Sequence, residues 1–366
     1  MREFSQVKRI VVKLGTNTLT KEGQLDNAFI RVICRQISEL MKAGKQIVMV
    51  SSGAIGMGAA ELELTERPRE MKMRQACAAI GQPLLMTQYR SAFQRLNINV
   101  GQVLLTAEVL DHRKTYLNLR HAVETLLTLG VVPILNENDS VSTDEIKSAF
   151  GDNDRLSALV ASKIDADLLI ILSDIDALYD RDPKRFPDAK PIGTVFDITD
   201  TVMQNAEGKG SRYGTGGMKT KLEAARIAAH AGCHMVLANG RTRNVMNRIL
   251  SGEAIGTLFM PKRRLSNRAR WILNSTPAGT ITIDPGASSA IHHHKSLLPS
   301  GVTRVEGNFE AGAVVLINDV AKAVTSLGSS QLQALMGRHS REIKRLCGPN
   351  QRDVVAIPED IILIDA

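Results

Sequence analysis

Hydrophobic residues fall into two rhythms over the first two thirds of the chain. Short apolar runs occupy residues 9–14 (RIVVKL), 46–50 (QIVMV), 98–105, 131–135, 167–172 and 234–238. Mainly apolar runs of this length read as strands, and 9–14 as a strand of a parallel sheet buried on both faces. Between the runs lie longer stretches with helical signals. Asp26 caps a helix that ends at Gly44. Further helices are predicted over 114–129, 155–164, 221–231 and 244–250. The segment SSGAIGMGAA (51–60) reads as a small-residue loop, followed by two helices, one opening at Pro68 and one after Gly81-Gln82-Pro83. Strand-helix alternation of this kind predicts an α/β unit with helices on both faces of a parallel-rich sheet, complete by about Met260.

The rhythm changes near the C-terminus. Residues 261–277 read as a basic linker with a short helix. From Ala278 onward, short strand candidates (GTITID, GVTRVEG, AGAVVLIND) alternate with Gly and Pro turns, with one helix over 330–335. That is the pattern of a small, mainly β domain. The expected division is therefore 1–260, a linker 261–277, and 278–366, in keeping with 366 residues being long for a single core.

Composition narrows the class. No apolar run approaches the ~20 residues needed to span a bilayer, and MREFSQVKR leads into the first strand without an apolar signal segment. Cys34, Cys77, Cys233 and Cys347 are scattered, as expected of buried thiols in a reducing cytoplasm. The net charge of +8 raises the question of nucleic acid. Residues 278–366 carry 8 Lys/Arg against 9 Asp/Glu, while the rest carries 38 against 29. The excess is thus outside the β domain, and phosphate contacts need clustered Lys/Arg. RNA binding stays as an alternative of a different class.

Candidate chemistry gathers where strands end. Residues 136–154, NENDSVSTDEIKSAFGDND, hold six carboxylates (Glu137, Asp139, Asp144, Glu145, Asp152, Asp154) and one lysine. Such a loop can take a metal, another cation or a substrate ammonium group; the alternative is a solvated acidic loop. Glycines 208, 210, 214, 216 and 217 interleave with Lys209, Arg212, Lys219 and Lys221. Backbone N–H groups of that kind cradle polyphosphate, although a flexible hairpin has the same composition. The chain has no GxxxxGK[ST] motif, and no GxGxxG follows a strand. Lys13, inside an apolar strand, is costly to bury without an anionic partner, unless it snorkels to solvent. Ser52-Gly53-Ala54 can hold a carboxylate or simply form a turn. His292-His293-His294 has no acidic or cysteine neighbours and reads as an exposed tract.

These pieces fit phosphoryl transfer, which works mainly by positioning and charge neutralisation. Six carboxylates would repel an anionic phosphate acceptor, so a free amino acid is favoured. A carboxylate acceptor with a reference pKa of about 4.3 is already ionised at neutral pH and needs no general base.

VVKLGT, SSGAIGMG, VPILNENDSV, EIK…GDND, LSDIDALY and GTGGMKTK, in this order, resemble the amino acid kinase family, and within it the members that phosphorylate glutamate. AGTITIDPGASSAI…SLLPSGVTRVEGNF is similar to the PUA domain. The resemblance implies that Lys13 and Lys221 neutralise the transferred phosphoryl group and that Asp154 orients them. It implies glutamate binding by Ser52, Asp139 and Asn153, with Asn136 and Asp152 as neighbours. Nucleotide binding falls to Lys13, Gly15, Ser173, Asp174 and the run Thr215, Gly216, Gly217, Met218, Lys219, Thr220 and Lys221. The implied reaction is ATP plus L-glutamate giving L-glutamyl 5-phosphate, with Mg²⁺, as the first step of proline synthesis. Kinases of aspartate or N-acetylglutamate are the alternatives within the fold. The resemblance also implies inhibition by proline, assembly as a homo-oligomer (dimer or tetramer), contact with a glutamyl phosphate reductase and a cytoplasmic location. Three features depart from the family: a longer loop around Ser148-Ala149-Phe150, an SSGAIGMG segment richer in glycine than in some relatives, and the histidine triplet.

Overall fold

A computed structural model of the protein describes residues 2–21, 24–66, 68–106, 109, 113–141, 153–183, 185–199, 217–339 and 353–364. The chain forms two compact units, Met1–Arg264 and Leu265–Ala366.

The first unit is built on an eight-stranded sheet. Its strands are β1 (Arg9–Leu14), β2 (Gln46–Val50), β3 (Val100–Leu105), β4 (Val132–Glu137), β5 (Leu168–Ser173), β6 (Thr194–Val195), β7 (His234–Asn239) and β8 (Thr257–Phe259). They lie in the order β6-β8-β7-β5-β1-β2-β4-β3. From β7 to β3 every neighbouring pair is parallel, and β8 runs antiparallel to β7. β1 is the centre: Val12 pairs with Met49 of β2 on one side and with Ile170 of β5 on the other.

Helices cover both faces, as the two rhythms require. They are α1 (Asn27–Lys42), α2 (Ala54–Glu61), α3 (Met71–Gln94), α4 (Arg113–Thr128), α5 (Asn153–Lys163), α6 (Met218–His230) and α7 (Val245–Leu250). Strand alternation sorts the core into two clusters. Ile10, Val12 and Leu14 of β1 pack with residues of α1 and α3, while Val11 packs with Leu156 and Leu159 of α5 and Leu222 of α6. Lys13 has the parity of Val11 and so faces α5 and α6. The expected cap is present: Asp26 accepts a hydrogen bond from the Phe29 amide at 2.9 Å, and Gly44 turns the chain at φ +79°.

Two expectations are overturned around α2 and α3. SSGAIGMGAA is not a loop; from Ala54 it is helix α2, entered through Gly53 at φ +101°. Gly81-Gln82-Pro83 does not start a new helix but lies inside the 24-residue α3. The glycines serve contact between helices. A Cβ on Gly58 would lie 1.8 Å from the Cys77 carbonyl oxygen, and one on Gly81 would lie 1.9 Å from that of Ala54. Pro83 lies on the exposed face of α3 and forfeits one helical hydrogen bond.

The second unit holds a five-stranded sheet of β9 (Thr280–Ile283), β10 (Val302–Glu306), β11 (Val314–Ile317), β12 (Ala321–Val324) and β13 (Ile361–Leu363), in the order β10-β9-β11-β12-β13. The short basic helix expected between 261 and 277 is α8 (Asn267–Asn274); its Ile272 packs on Val314 and Val324 of this unit. Besides α10 (Ser329–Leu335), the unit has a helix that the strand reading passed over, α9 (Pro285–His292). Its start was legible: Asp284 caps it by accepting from the Ala287 amide at 2.7 Å, and Pro285 occupies the first turn. His292 ends α9, and all three histidines are exposed.

Cys34, Cys77 and Cys233 are buried free thiols; Cys347 lies outside the described residues. No described helix is long and apolar enough to cross a membrane.

Candidate active site

The order of the sheet creates the site. From β1 the chain passes to β2 on one side and later returns to β5 on the other, so the C-terminal ends of β1, β2, β4 and β5 face a crevice at the switch point. Lys13 is the penultimate residue of β1 and only 3% exposed. Asp154, fully buried, is the second residue of α5, and Lys221 lies in the first turn of α6 at 5% exposure. The Lys13 ammonium is 2.6 Å from Asp154 Oδ1, and that of Lys221 is 2.9 Å from Oδ2. Thr220 donates from Oγ1 to the same Oδ2 at 3.2 Å.

One carboxylate therefore holds two lysines that would otherwise repel each other. Burial alone would push Asp154 up, but the charges of Lys13 and Lys221 outweigh it and hold the carboxyl below the usual range. The group keeps one net positive charge in a place closed to water. It is a fixed cationic seat for an anion.

The residue before Asp154 builds a second, uncharged array. Asn153 Nδ2 lies 2.5 Å from the Ser51 carbonyl, 2.8 Å from Asn136 Oδ1 and 3.0 Å from Ser52 Oγ, three acceptors that share its two protons. Asn136, at the end of β4, donates in turn to Gln82 Oε1 at 2.8 Å. The Ser51 and Tyr89 hydroxyls are 2.8 Å apart in the same buried layer. Asp139 stands half-buried in the turn after β4; burial pushes its carboxyl up, and the charge of Arg74 pulls it down.

The far side of β1 carries the expected nucleotide residues. Gly15 donates its amide to the Leu172 carbonyl at 3.1 Å. A Cβ on Gly15 would lie 3.7 Å from the Lys13 ammonium, so the glycine borders the cationic seat. Asp174 accepts from Asn17 Nδ2 and from Ser173 Oγ, each at 3.0 Å. Burial opposes this, but those hydrogen bonds hold its carboxyl below the usual range. Gly217 caps α6 without a side chain, and open space surrounds its Cα. Met218, Lys219 and Thr220 form the first turn of α6. An uncapped helix start offers N–H groups to an anion.

The structure thus brings Lys13, Asp154 and Lys221 together, and separately Ser52, Asn136 and Asn153. Asp152, Thr215 and Gly216 lie outside the described residues, as does the loop around Ser148-Ala149-Phe150. Sequence reasoning missed Gln82, Ser51, Tyr89 and Asn17. Only Ser51, beside Ser52, carried a signal; the other three are recognisable only once the helices are packed.

A buried lysine pair on an aspartate, beside a hydrogen-bonded array of Ser52, Asn136 and Asn153 at a parallel-sheet switch point, is the site of a phosphotransferase. Residues 8–239 match the amino acid kinase family and residues 279–347 match the PUA domain. The chain belongs to the amino acid kinase family. It is 46% identical to the glutamate 5-kinase of Methanosarcina mazei over 375 residues, covering 99% of this chain and 97% of the relative. It is 43% identical to that of Caldanaerobacter subterraneus subsp. tengcongensis, covering 98% of each. Among solved structures, the carbamate kinase of Giardia lamblia bound to AMP-PNP superposes with a TM-score of 0.51 at 17% identity. That match covers 70% of this chain and 100% of the other, and it shows the shared fold.

Proposed function

We propose that this chain transfers the γ-phosphoryl group of ATP to the γ-carboxylate of L-glutamate, the first step of proline synthesis. The observation that carries the reading is the pairing of neighbours at the start of α5: Asp154 holds both lysines while Asn153 holds Ser52 and Asn136. Full-length relatives called glutamate 5-kinases support the choice of substrate.

In the reaction a γ-carboxylate oxygen attacks the γ-phosphorus and forms a new P–O bond. The bond to the β–γ bridging oxygen breaks, and its electron pair leaves with ADP. The products are L-glutamyl 5-phosphate and ADP. The acceptor is already ionised, so no proton has to move and no histidine base is required. Lys13 and Lys221 neutralise charge on the group in flight, and Asp154 keeps both ammonium groups in place before substrate arrives. Ser52, Asn136 and Asn153 form the glutamate side, and Asp139 takes the ammonium group. Gly15, Ser173, Asp174 and residues 217–221 form the nucleotide side; Asp152, Thr215 and Gly216 are assigned to these roles by the family resemblance alone.

Mg²⁺ supplies further charge neutralisation on the phosphates. No three His, Cys, Asp or Glu side chains converge as a metal cage among the described residues, and both oxygens of Asp154 are engaged by lysines. This donor set suits an ion carried in by the nucleotide's phosphates and water.

The same reading includes a cytoplasmic enzyme inhibited by proline, assembled as a homo-oligomer and handing its labile acyl phosphate to a glutamyl phosphate reductase. RNA binding by the second unit is the corresponding reading for the PUA-like part. The decisive experiment is an ATP-dependent hydroxamate assay with glutamate, aspartate and N-acetylglutamate offered separately. Turnover with glutamate is expected to dominate. A preference for either of the others overturns the substrate assignment and leaves the fold and the lysine pair in place.

A further inference from the structure

Gln82 stands out among the buried polar residues. It is 8% exposed in the middle of α3, where that helix crosses α2. An apolar side chain there would fill the same space without desolvating an amide. Its Oε1 accepts from Asn136 Nδ2 at 2.8 Å, Asn136 Oδ1 accepts from Asn153 Nδ2 at 2.8 Å, and Asn153 Nδ2 also donates to Ser52 Oγ at 3.0 Å. The bonds form one directed chain from α3 to the serine hydroxyl.

The Ser51 carbonyl, 2.5 Å from Asn153 Nδ2, can only accept and fixes the donor end of Asn153, and because a primary amide has a donor end and an acceptor end, Asn136 and Gln82 must then match it. With Gln82 accepting, Asn136 must point Nδ2 toward α3 and Oδ1 toward Asn153. If Asn136 turned over, its NH₂ would face the NH₂ of Asn153 and that bond would be lost. The Ser52 hydroxyl already accepts from Asn153, so its own proton is left to be donated elsewhere. A substrate carboxylate needs such a donor. The backbone is built to permit the arrangement: Gly81, next to Gln82, lets α3 meet Ala54, two residues beyond Ser52.

We propose that Gln82 is a positioning residue for the acceptor, holding Asn136 in the one orientation that receives Asn153 and so keeping Asn153 against Ser52, whose own proton is offered to the substrate carboxylate. The proposal rests on the glutamate kinase reading for the identity of that carboxylate. Gln82 touches no substrate, and its effect passes through the two asparagines.

The test is steady-state kinetics on the full chain, beginning with the wild type. Glutamate-dependent hydroxamate formation by the wild type establishes the reading, and the variants then test Gln82. Gln82→Leu is expected to raise KM for glutamate about tenfold by leaving a buried amide donor unpaired. KM for ATP and kcat should stay near wild type, and Tm should fall by no more than several degrees, the cost of the unpaired donor. In a Ser52→Ala background the same change should add less than about twofold, because the two residues act on one bond chain. A glutamate KM that does not move overturns the proposal. So does a parallel loss of Tm, kcat and both KM values, or full additivity with Ser52→Ala. Gln82→Met fills the same space without an amide acceptor or a new charge and is expected to raise KM for glutamate by a similar factor. It decides the matter should the leucine variant fail to fold, and an unchanged glutamate KM there overturns the proposal. If the wild type prefers another acceptor, the glutamate reading fails, and the same variants measured with that acceptor test Gln82. A wild type inactive with all three acceptors overturns both.

Discussion

The two halves of the site solve opposite electrostatic problems. The Lys13–Asp154–Lys221 group is charged, dry and over-compensated on the positive side. Its value lies in holding two like charges where water would never leave them. The Ser52–Asn153–Asn136–Gln82 array is neutral throughout and holds its shape by the direction of amide hydrogen bonds. A charged seat suits a group whose charge must be neutralised in the transition state. A neutral, directed array suits a substrate that needs to be oriented and released. Both halves hang on two adjacent residues at the start of α5, which couples where the acceptor sits to where the phosphoryl group goes.

The comparison is most exposed to a change at Asp154. Asp154→Ala would leave two buried ammonium groups facing each other, a loss of about 3–5 kcal/mol by analogy with broken buried pairs. A large fall in Tm with near-complete loss of turnover is expected, read by thermal unfolding and the hydroxamate assay. A stable, active variant would refute the account of the charged half. Lys13→Ala or Lys221→Ala should each lower kcat by roughly 10²–10³-fold with a smaller effect on Tm.

The neutral half should respond through KM instead. Asp139→Ala is expected to raise KM for glutamate and spare kcat, and an unchanged KM would remove Asp139 from the substrate side. Burial holds the Asp139 carboxyl above its ordinary value of 3.8. The acid limb of kcat/KM for glutamate should accordingly contain Asp139 as well as the acceptor carboxylate, whose reference value is about 4.3, and Asp139→Asn should leave only the latter.

Stability against pH distinguishes the halves in another way. Asp154 is depressed in the folded state, so its contribution is full above the unfolded value of 3.8 and is lost as pH falls through the lower folded value. Acid unfolding should therefore be steeper in the wild type than in Asp154→Asn below that pH. The smallest effect is expected from deleting residues 265–366. Every described site residue belongs to the first unit, and kcat should stay within about threefold if that unit folds alone.

Much of this molecule was readable from order and spacing. The buried run RIVVKL, the Asp26 cap with Gly44, and the alternation of strands and helices are local signals. They act through backbone sterics and burial, which do not depend on distant partners. The motif order pointed to Lys13, Asp154 and Lys221. Packing decided the remainder. Gly58, Gly81 and Pro83 read as chain breakers, yet the glycines permit two helix backbones to touch, a contact between segments that neither segment encodes alone. Gln82 and Tyr89 carry no motif, because a buried amide or phenol acquires meaning only from the partner that the fold brings within hydrogen-bond reach. The sequence by itself determined which residues bear the charge, through their type and their place at strand and helix ends. Only the tertiary structure decided how the amides behind them point, because the direction of a hydrogen bond is a property of two groups in space.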